Sequence, residues 1–330
     1  MARKTGLSIA TISKFLNGGH VLGPNRSAIE DAIQELGYRV NEAARGLKTN
    51  RTLTVGVLIP RLENIFCTSI VAHVENILNQ SGYGTIICDY QENPKLEREK
   101  LEFLVNKNVD ALLYMPLYGE ASAVEAILKQ EIPVILLDRP IAGLSCDMVL
   151  VDNLNASYRA IEELVVRGHR QIGVISGPTS IFTAQERFKG YRRVLEDYAV
   201  EFDESLVKYG DYQIDSGFRL MTEFLHQNPR PTAVFVSNYE MTLGAVMAIN
   251  EAQVKVPTEL SLIGFDNLQM AKVVKPTLAI VVQPMELIGE TSATLLLKRL
   301  RGDREGFPAM FRLKTEFLHG DSITGPSRTP

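Results

Sequence analysis

The sequence lacks any long hydrophobic run. Its longest apolar stretches, such as PVILLDR at residues 133–139, have the length of a strand, whereas a membrane-spanning helix needs roughly 20 apolar residues. The N-terminal MARKTGLSIA has basic residues but no apolar segment of the length found in signal peptides. We therefore expect a cytoplasmic protein that does not enter a membrane.

Cysteine is scarce, and the motifs of several enzyme classes are missing. Cys67, Cys88 and Cys146 are odd in number and far apart, which fits neither a disulfide framework nor a zinc site, so we expect them to be reduced. The chain has no G-x-x-x-x-G-K-[ST] loop, no nucleophile elbow and no histidine cluster. We expect no catalytic residues, no metal and no cofactor, and we expect His169, in the turn RGHRQ, to form a structural hydrogen bond.

The charge of the 330-residue chain is unevenly distributed. Its net charge is −4, yet residues 1–52 carry +4 and the remaining residues carry −8. A basic segment on an acidic body is typical of a protein that meets a polyanion through that segment. A solvated charged face explains the charge equally well.

From Leu53 onward, strand-like apolar runs alternate with amphipathic stretches of helical length, as in parallel α/β folds. The predicted strands are TLTVGVLIP, TIICDY, ALLYMP, PVILLDR, MVLV, QIGVISG, VKYGDY, AVFVSN, LSLIGFDN and LAIVVQP. Helices are predicted near residues 65–81, 95–107, 120–130, 154–167, 184–198, 214–227, 240–252 and 285–301. This body is long enough for two lobes, and we expect a ligand site at the carboxyl ends of its strands.

The first 39 residues show no strand pattern. Ser8 is placed as an N-cap for a helix, and a second helix near NRSAIEDAIQELGY ends at Gly37. The spacing of Ala2, Gly6 and Ile12 is that of a helix-turn-helix, although two amphipathic helices of a minor subdomain are an alternative. The side chains expected to face inward are Ile9, Ile12, Phe15, Leu16, Ile29, Ile33 and Leu36.

The stretch NEAARGLKTNRT at residues 41–52 predicts a short helix that begins after Asn41. A helix of about seven residues is too short to be stable alone in water, so it must dock on something. Leu47 either packs against the body or is inserted between base pairs of a DNA minor groove, with Arg45 and Lys48 near phosphates.

The motifs GLSIATISKFLNG, AIQELGYRVNEAARGLKTNRTLTVGVLIP, VDNLNASYRAIEELVVRGHRQIGVISGP, RFKGYRRVL, PTAVFVSN and PTELSLIGFDN occur in this order. Through these motifs, the chain resembles the bacterial LacI/GalR family of transcriptional repressors over essentially its whole length. The resemblance implies an all-α helix-turn-helix head, a hinge helix and an α/β two-lobed body like that of periplasmic binding proteins, with parallel sheets. It implies a head at 1–40, a hinge at 41–52 and a body at 53–330, with an N-lobe of 53–152 and 284–312 and a C-lobe of 153–283 and 313–330. The family usually has residues before the position of Met1, so the first helix, about ARKT, is expected either to start upstream or to leave a weak head.

The resemblance also implies which residues meet DNA. Ile9, Ala10 and Lys14 match the base-reading positions at the start of the helix that lies in the major groove. Lys14 is suited to a guanine edge, and the two apolar residues to a thymine methyl group, although Ile9 is also a candidate core residue. The positions expected to contact phosphates or the minor groove are Thr11, Ser13, Asn17, Asn25, Arg45, Leu47 and Lys48.

Matching positions of the body imply an effector site for a sugar or sugar derivative, with charged and amide groups for hydroxyls and aromatic faces for the ring. A structural alternative, as helix caps or an internal ion pair, stands for Asn238, Asp266 and Arg187. Tyr239 departs from the family, which commonly has an acid after the asparagine. The expected effector residues are Phe66, Asp138, Thr183, Arg187, Tyr212, Asn238, Asp266 and Gln283.

The expected function is therefore that of a homodimeric regulator, bound to double-stranded operator DNA, whose affinity an effector alters. A sugar-binding module without DNA function, a regulator that uses a phosphoprotein co-effector and an α/β enzyme are the alternatives. The basic head and the missing signal peptide argue against the sugar-binding module.

Overall fold

The computed structural model describes residues 1–16, 19–38, 51–266 and 268–326. The chain divides into two units, Met1–Leu53 and Thr54–Pro330. The predicted DNA contacts Asn17, Arg45, Leu47 and Lys48 lie outside the described residues.

In its described residues, the first unit contains three helices, α1 (Ala2–Thr5), α2 (Ile9–Leu16) and α3 (Gly23–Leu36). Gly6 ends α1 with a left-handed backbone, φ 67°, which glycine adopts without the steric penalty of a side chain. Ser8 caps α2, since its Oγ accepts a hydrogen bond of 3.1 Å from the Thr11 amide. The predicted cap and turn are thus confirmed.

The core of the first unit is small. Ile12, Ile29 and Ala32 are buried in it. The prediction that Ile9 and Leu36 face inward is wrong, because their side chains are 77% and 51% exposed. Such short helices have room for only a narrow apolar strip between them, so side chains at the edge of each strip remain in water.

The second unit alternates strands and helices as the sequence predicts, with predicted and observed ends differing by at most three residues. Its strands are β1 (Thr54–Ile59), β2 (Gly84–Asp89), β3 (Ala111–Tyr114), β4 (Val134–Leu137), β5 (Asp147–Val151), β6 (Ile172–Ser176), β7 (Val207–Tyr209), β8 (Ala233–Val236), β9 (Ser261–Phe265), β10 (Ala279–Val282), β11 (Met310–Leu313) and β12 (Glu316–Leu318). Its helices are α4 (Ile65–Gln80), α5 (Pro94–Asn106), α6 (Ala121–Leu128), α7 (Asn153–Val166), α8 (Phe182–Asp197), α9 (Ile214–His226), α10 (Tyr239–Glu251), α11 (Leu268–Val273) and α12 (Met285–Leu300).

The strands form two six-stranded sheets with the same connectivity. The first has the order β11-β5-β4-β3-β1-β2 and the second the order β12-β10-β9-β8-β6-β7. Neighbouring strands are parallel except β10 and β12, which are antiparallel, so the prediction of parallel sheets needs this one correction. The antiparallel arrangement is possible because β12 is an edge strand that follows β11 without a covering helix.

The chain crosses between the two sheets three times. It leaves the first sheet after β5, returns after β10, and crosses again in the short turn between β11 and β12. Each sheet with its helices is therefore a lobe assembled from two separate segments of the chain. In hinge-closing proteins, the segments that cross between two lobes are the ones that absorb the motion.

Both faces of the sheets are covered, which explains why the strands are apolar throughout. Every residue of β3, β4 and β8 is buried. His169 forms the structural hydrogen bonds that its turn predicts, with Nδ1 2.8 Å from Thr232 Oγ1 and Nε2 2.7 Å from the Thr324 carbonyl oxygen. Cys67, Cys88 and Cys146 are free and buried. In the ranges that the structure describes, no helix is long and apolar enough to span a bilayer.

Candidate functional site

A cavity of about 250 Å³ lies between the two lobes of the second unit. This volume is just below the roughly 300–1,000 Å³ of small-molecule sites, so it suits a small ligand. All eight residues that sequence reasoning assigns to an effector line this cavity: Phe66, Asp138, Thr183, Arg187, Tyr212, Asn238, Asp266 and Gln283.

Two of the cavity carboxylates occupy equivalent places in the two lobes. Asp138 follows β4 and Asp266 follows β9, and the amide of each donates to the next strand, at 3.0 Å to Val149 and 2.7 Å to Val281. Both have left-handed backbones, with φ of 64° and 65°. Such strain in residues other than glycine tends to occur at functional sites, where the surrounding structure enforces it.

Arg187 is held rigidly inside the cavity. It projects from α8, its Nε donates to Asn153 Oδ1 at 2.7 Å, and Nη1 donates to the Ser237 carbonyl oxygen. Its guanidinium carbon lies 3.8 Å from the centre of the Phe265 ring, a cation–π contact. These contacts fix the plane of the guanidinium, which a site needs in order to orient hydroxyl groups.

Asp266 is a buried carboxyl, and neighbouring groups partly offset the effect of burial on its pKa. Burial raises its pKa to about 6, although the Arg187 charge and a hydrogen bond from Gln283 both act to lower that pKa. The Gln283 Nε2 donates to Asp266 Oδ1 at 2.7 Å. A ligand hydroxyl that donated to Asp266 would further stabilise its ionised form.

Asn238 and Tyr212 form one wall. Asn238 begins α10, its Oδ1 accepting from the Met241 amide at 3.1 Å, and its Nδ2 donates to the Tyr212 carbonyl oxygen at 3.1 Å. The capping alternative for Asn238 is therefore correct, and the same side chain also lines the cavity. Tyr212 lies against Gly177, where an added Cβ would be 2.1 Å from the tyrosine Cζ.

Glu240 is a cavity residue that sequence reasoning missed. It supplies a carboxylate one position after Tyr239, where the family's usual acid is absent. Its Oε1 accepts from Asn64 Nδ2 of the other lobe at 2.8 Å, and Oε2 accepts from Asn238 Nδ2 at 2.7 Å. Burial raises its pKa to about 7, its backbone hydrogen bond lowers it, and the charges of Asp266 and Glu92 raise it further.

Four further charged residues of the cavity were also missed: Arg61, Glu63, Glu92 and Arg139. They follow β1, β2 and β4, so the rule that ligands bind beyond the carboxyl ends of parallel strands could have found them. In the described part of the chain, no group of three or more His, Cys, Asp or Glu side chains is arranged to hold a metal ion.

The cavity contains buried polar atoms without partners. Within the described residues, Asp138 Oδ1 and Gln283 Oε1 have no hydrogen bond, and their side chains belong to residues only 8% and 3% exposed. Leaving a buried acceptor unsatisfied costs about 1–3 kcal/mol. Both atoms are therefore positioned to accept hydrogen bonds from a ligand.

On the first unit, α2 presents the predicted base-reading residues to solvent. Ile9, Ala10 and Lys14 are exposed, while Thr11, Ser13 and Asn25 are half-buried. An isoleucine that is 77% exposed on a stable helix contributes little to the core, so the core alternative for Ile9 is wrong. An exposed apolar side chain beside a lysine suits contact with a base edge and its methyl group.

The chain is similar to a known protein family and to individual proteins of known name. Residues 52–315 match the family described as periplasmic binding proteins and sugar binding domain of LacI family. The catabolite control protein A of Priestia megaterium is 33% identical over 90% of this chain and 90% of its own length. The HTH-type transcriptional repressor PurR of Escherichia coli O1:K1 is 34% identical over 99% of this chain and 97% of its own length.

A solved structure of the transcriptional regulator CelR in complex with cellobiose is similar to this chain. It shares 29% sequence identity with a TM-score of 0.75, and the match covers 97% of this chain and 98% of the CelR chain. The similarity therefore extends over the first unit as well as over the two-lobed second unit.

Proposed function

Because the chain belongs to the LacI/GalR family of transcriptional regulators, we propose that it represses transcription by binding a specific operator. An effector, a sugar or sugar derivative, binds between the two lobes and alters the affinity for that operator. Since effector and DNA act on one conformational equilibrium, each changes the affinity for the other by the same factor.

One observation carries this proposal. Eight residues spread over more than two hundred positions of the chain, from Phe66 to Gln283, meet in a single cavity between two lobes. Buried acceptors without partners, a fixed guanidinium and the Tyr212 ring are the groups that sugar hydroxyls and a sugar ring require. The relative CelR has cellobiose in its structure, which supports a sugar for this cavity as well.

The DNA-binding part of the proposal assigns roles by position. Ile9, Ala10 and Lys14 contact base edges, and Thr11, Ser13, Asn17 and Asn25 contact phosphates. The head, residues 1–40, then docks through α2, whose solvent-facing residues support this assignment. Arg45, Leu47 and Lys48 belong to the proposed hinge, where Leu47 enters the minor groove.

We also propose that the protein is a homodimer, as a pseudo-palindromic operator requires. The second unit exposes large apolar side chains on α12 and β11, among them Leu287, Met310 and Phe311, which are 48%, 61% and 42% exposed. A second copy of the chain would bury them. Size-exclusion chromatography with light scattering measures the mass directly, and a monomer at micromolar concentration would contradict this part.

The experiment for the whole proposal is a fluorescence-anisotropy titration of DNA from upstream of the protein's own gene, with and without a panel of sugars. The expected result is specific binding at physiological salt whose affinity changes with at least one sugar. Sugar binding without DNA binding would support a sugar-binding module instead. Specific DNA binding that only a phosphoprotein alters would support the co-effector alternative, and turnover of a sugar abolished by Arg187→Ala would indicate an enzyme.

Replacing the proposed wedge provides a second test. Leu47→Ala should reduce the operator bend and the affinity for operator relative to random DNA, because no side chain then separates the base pairs. A bend angle that equals that of the unmodified protein would exclude the wedge role.

A further inference from the structure

The cavity between the lobes contains more acidic than basic groups. Five carboxylates line it, against the three guanidinium groups of Arg61, Arg139 and Arg187. A site shaped for a phosphorylated or carboxylated ligand would have the opposite excess. The carboxylates are those of Glu63, Glu92, Asp138, Glu240 and Asp266.

The three cations already have partners within the protein. Arg61 pairs with Glu63 at 2.9 Å, and Arg139 lies 3.4 Å from Asp138. Arg187 donates to two protein oxygens, as described above, and its charge stabilises the ionised form of Asp266. These contacts leave two carboxylates of the cavity without a directly paired cation.

Those two carboxylates are Glu92 and Glu240, one from each lobe. Among the described residues neither forms an ion pair, and the hydrogen-bond donors to Glu240 are the neutral amides of Asn64 and Asn238. Burial raises the pKa of both carboxyls, and the Glu92 charge adds to the rise at Glu240. The charge of Arg61 acts to lower both pKa values and that of Arg139 also acts to lower the pKa of Glu92, so these cations offset the burial only in part. Removing a carboxylate from water without a directly paired cation is costly, so a cation supplied by the ligand would stabilise the cavity further.

Buried acceptor atoms without a hydrogen bond add a second requirement for the ligand. Asp138 Oδ1 and Gln283 Oε1 are buried acceptors without a donor. The cavity therefore needs hydrogen-bond donors from its ligand as well as positive charge, and it also offers a buried donor, Arg139 Nε, that lacks a hydrogen-bond acceptor. Hydroxyl groups supply donors, and a protonated amine supplies both donors and charge.

We propose that the effector is an unacetylated amino sugar, whose ammonium group is bound by the carboxylates of Glu92 and Glu240 while its hydroxyl groups meet Asp138 and Gln283. This inference rests on the proposed function, because it specifies the effector of the same cavity. The ammonium group attracts one carboxylate from each lobe and so favours closure of the lobes. The cavity of about 250 Å³ suits a monosaccharide of this kind.

The test compares matched ligands by isothermal titration calorimetry on the full chain. The ligands are glucosamine, galactosamine and mannosamine, each with its parent sugar, its N-acetyl form and its 6-phosphate. At least one hexosamine should bind about tenfold or more tightly than its parent sugar and its N-acetyl form, because a charge-assisted hydrogen bond is stronger than a neutral one. Absence of binding by all three hexosamines, or tighter binding of the neutral or phosphorylated form, overturns the proposal.

The variant Glu240→Gln tests the assignment to this residue. It should lower the preference for the hexosamine over its parent sugar by about tenfold, and Glu92→Gln should lower it in the same direction, which also guards against a folding defect in one variant. Glu251→Gln is the matched control, since Glu251 is an exposed residue at the far end of the same helix α10. A preference that survives both cavity variants overturns the proposal.

The failure of this inference and the failure of the proposed function give different results. A neutral sugar that changes operator affinity would overturn the amino sugar and leave the repressor function standing. Loss of all specific DNA binding, with the hexosamine preference intact, would overturn the repressor function alone.

Discussion

At the scale of single residues, the cavity is shaped by contacts that no neighbouring sequence reveals. Tyr212 has a left-handed backbone, φ 67°, and its ring lies in the space that a side chain at Gly177 would occupy. The glycine at the end of β6 therefore determines where the aromatic wall of the cavity stands. A change at either residue should weaken ligand binding more than it destabilises the fold.

Gly177→Ala should weaken effector binding by about tenfold while leaving the body folded. The added Cβ would be 2.1 Å from the Tyr212 Cζ, and a flexible ring moves more easily than a buried strand. Calorimetric affinity and a thermal melt measure the two effects. Gly84→Ala is the control because its Cβ would meet no atom within 4 Å, and equal affinities in the two variants would contradict the role of Gly177.

Asp266 should make the stability of the free protein depend on pH. Its pKa is raised from 3.8 to about 6 on folding, so between these values the folded protein binds the proton that the unfolded chain has lost. Stability attributable to this residue is therefore fully present below about pH 4 and is lost as pH rises through about 6. The loss is on the order of 2–3 kcal/mol.

Asp266→Asn removes the titrating group and retains an oxygen that can accept from Gln283. The variant should become more stable relative to the unmodified protein as pH rises from 4 to 7, as measured by urea unfolding at several pH values. Taking the difference between the two proteins cancels the titrating groups that Asp266 does not influence, including His169, whose pKa burial lowers. The pKa of Glu240 should fall slightly in the variant, because the Asp266 charge helps to raise it. A difference that does not change with pH would refute the role given to Asp266.

At the scale of elements, helix α2 separates two functions between side chains that are three positions apart. Ile12 is buried at 6% exposure, whereas Ile9 is 77% exposed. The same residue type thus stabilises the head at one position and is available to a partner at the other. The partner, under the proposed function, is the operator.

Ile9→Ala should reduce the affinity for the operator about fivefold and leave binding to random DNA and the stability of the head unchanged, because the lost contact is with a base. Ile12→Ala should instead unfold the head, since removing a buried isoleucine side chain costs about 2–5 kcal/mol and the described core of this unit is small. Anisotropy titrations and hydrogen exchange of residues 1–38 distinguish the two. Equal losses on both DNA sequences in Ile9→Ala would contradict base reading.

At the scale of the whole second unit, contacts between the lobes hold the cavity closed. Asn64 donates to Glu240 across the gap at 2.8 Å, and Tyr118 and Ser180 meet at 3.3 Å between their hydroxyl oxygens. Arg312 of β11 also lies 3.5 Å from Glu186 of α8, and Ile181 and Ala184 of the second lobe pack on the apolar core of the first, but these contacts are few beside those inside each lobe. Modest energies should therefore shift the balance between open and closed forms.

Asn64→Asp should open the lobes. Aspartate retains the N-cap of α4, which Asn64 Oδ1 now provides to the Cys67 amide at 3.1 Å, but it places a carboxylate against Glu240. Small-angle X-ray scattering of the free protein should show a larger radius of gyration, and effector affinity should fall. Asn93→Asp, the same change at the exposed N-cap of α5, is the control, and equal radii in the two variants would contradict a closing role for Asn64.

Much of the fold could be predicted from local patterns. Continuous apolar runs identified ten strands because buried parallel strands must be apolar on both faces, and the caps at Ser8 and Asn238 follow from side chains that satisfy free amides. The elements that were missed, α11, β11 and β12, are three to six residues long. Such short elements are stabilised by tertiary contacts and not by local sequence. Strand β12, for example, pairs with β10 from a different part of the chain.

The sequence by itself determined the alternation of strands and helices, the basic head and the residue types available for a ligand, because these depend on local periodicity and composition. Tertiary structure decided which carboxylates meet in the cavity and which of them lack a direct ion pair. Asn64 and Glu240 are separated by 176 positions and are joined by one hydrogen bond. Charge balance in a cavity depends on distances between residues far apart in the chain, and those distances exist only after both lobes have folded around their three crossovers.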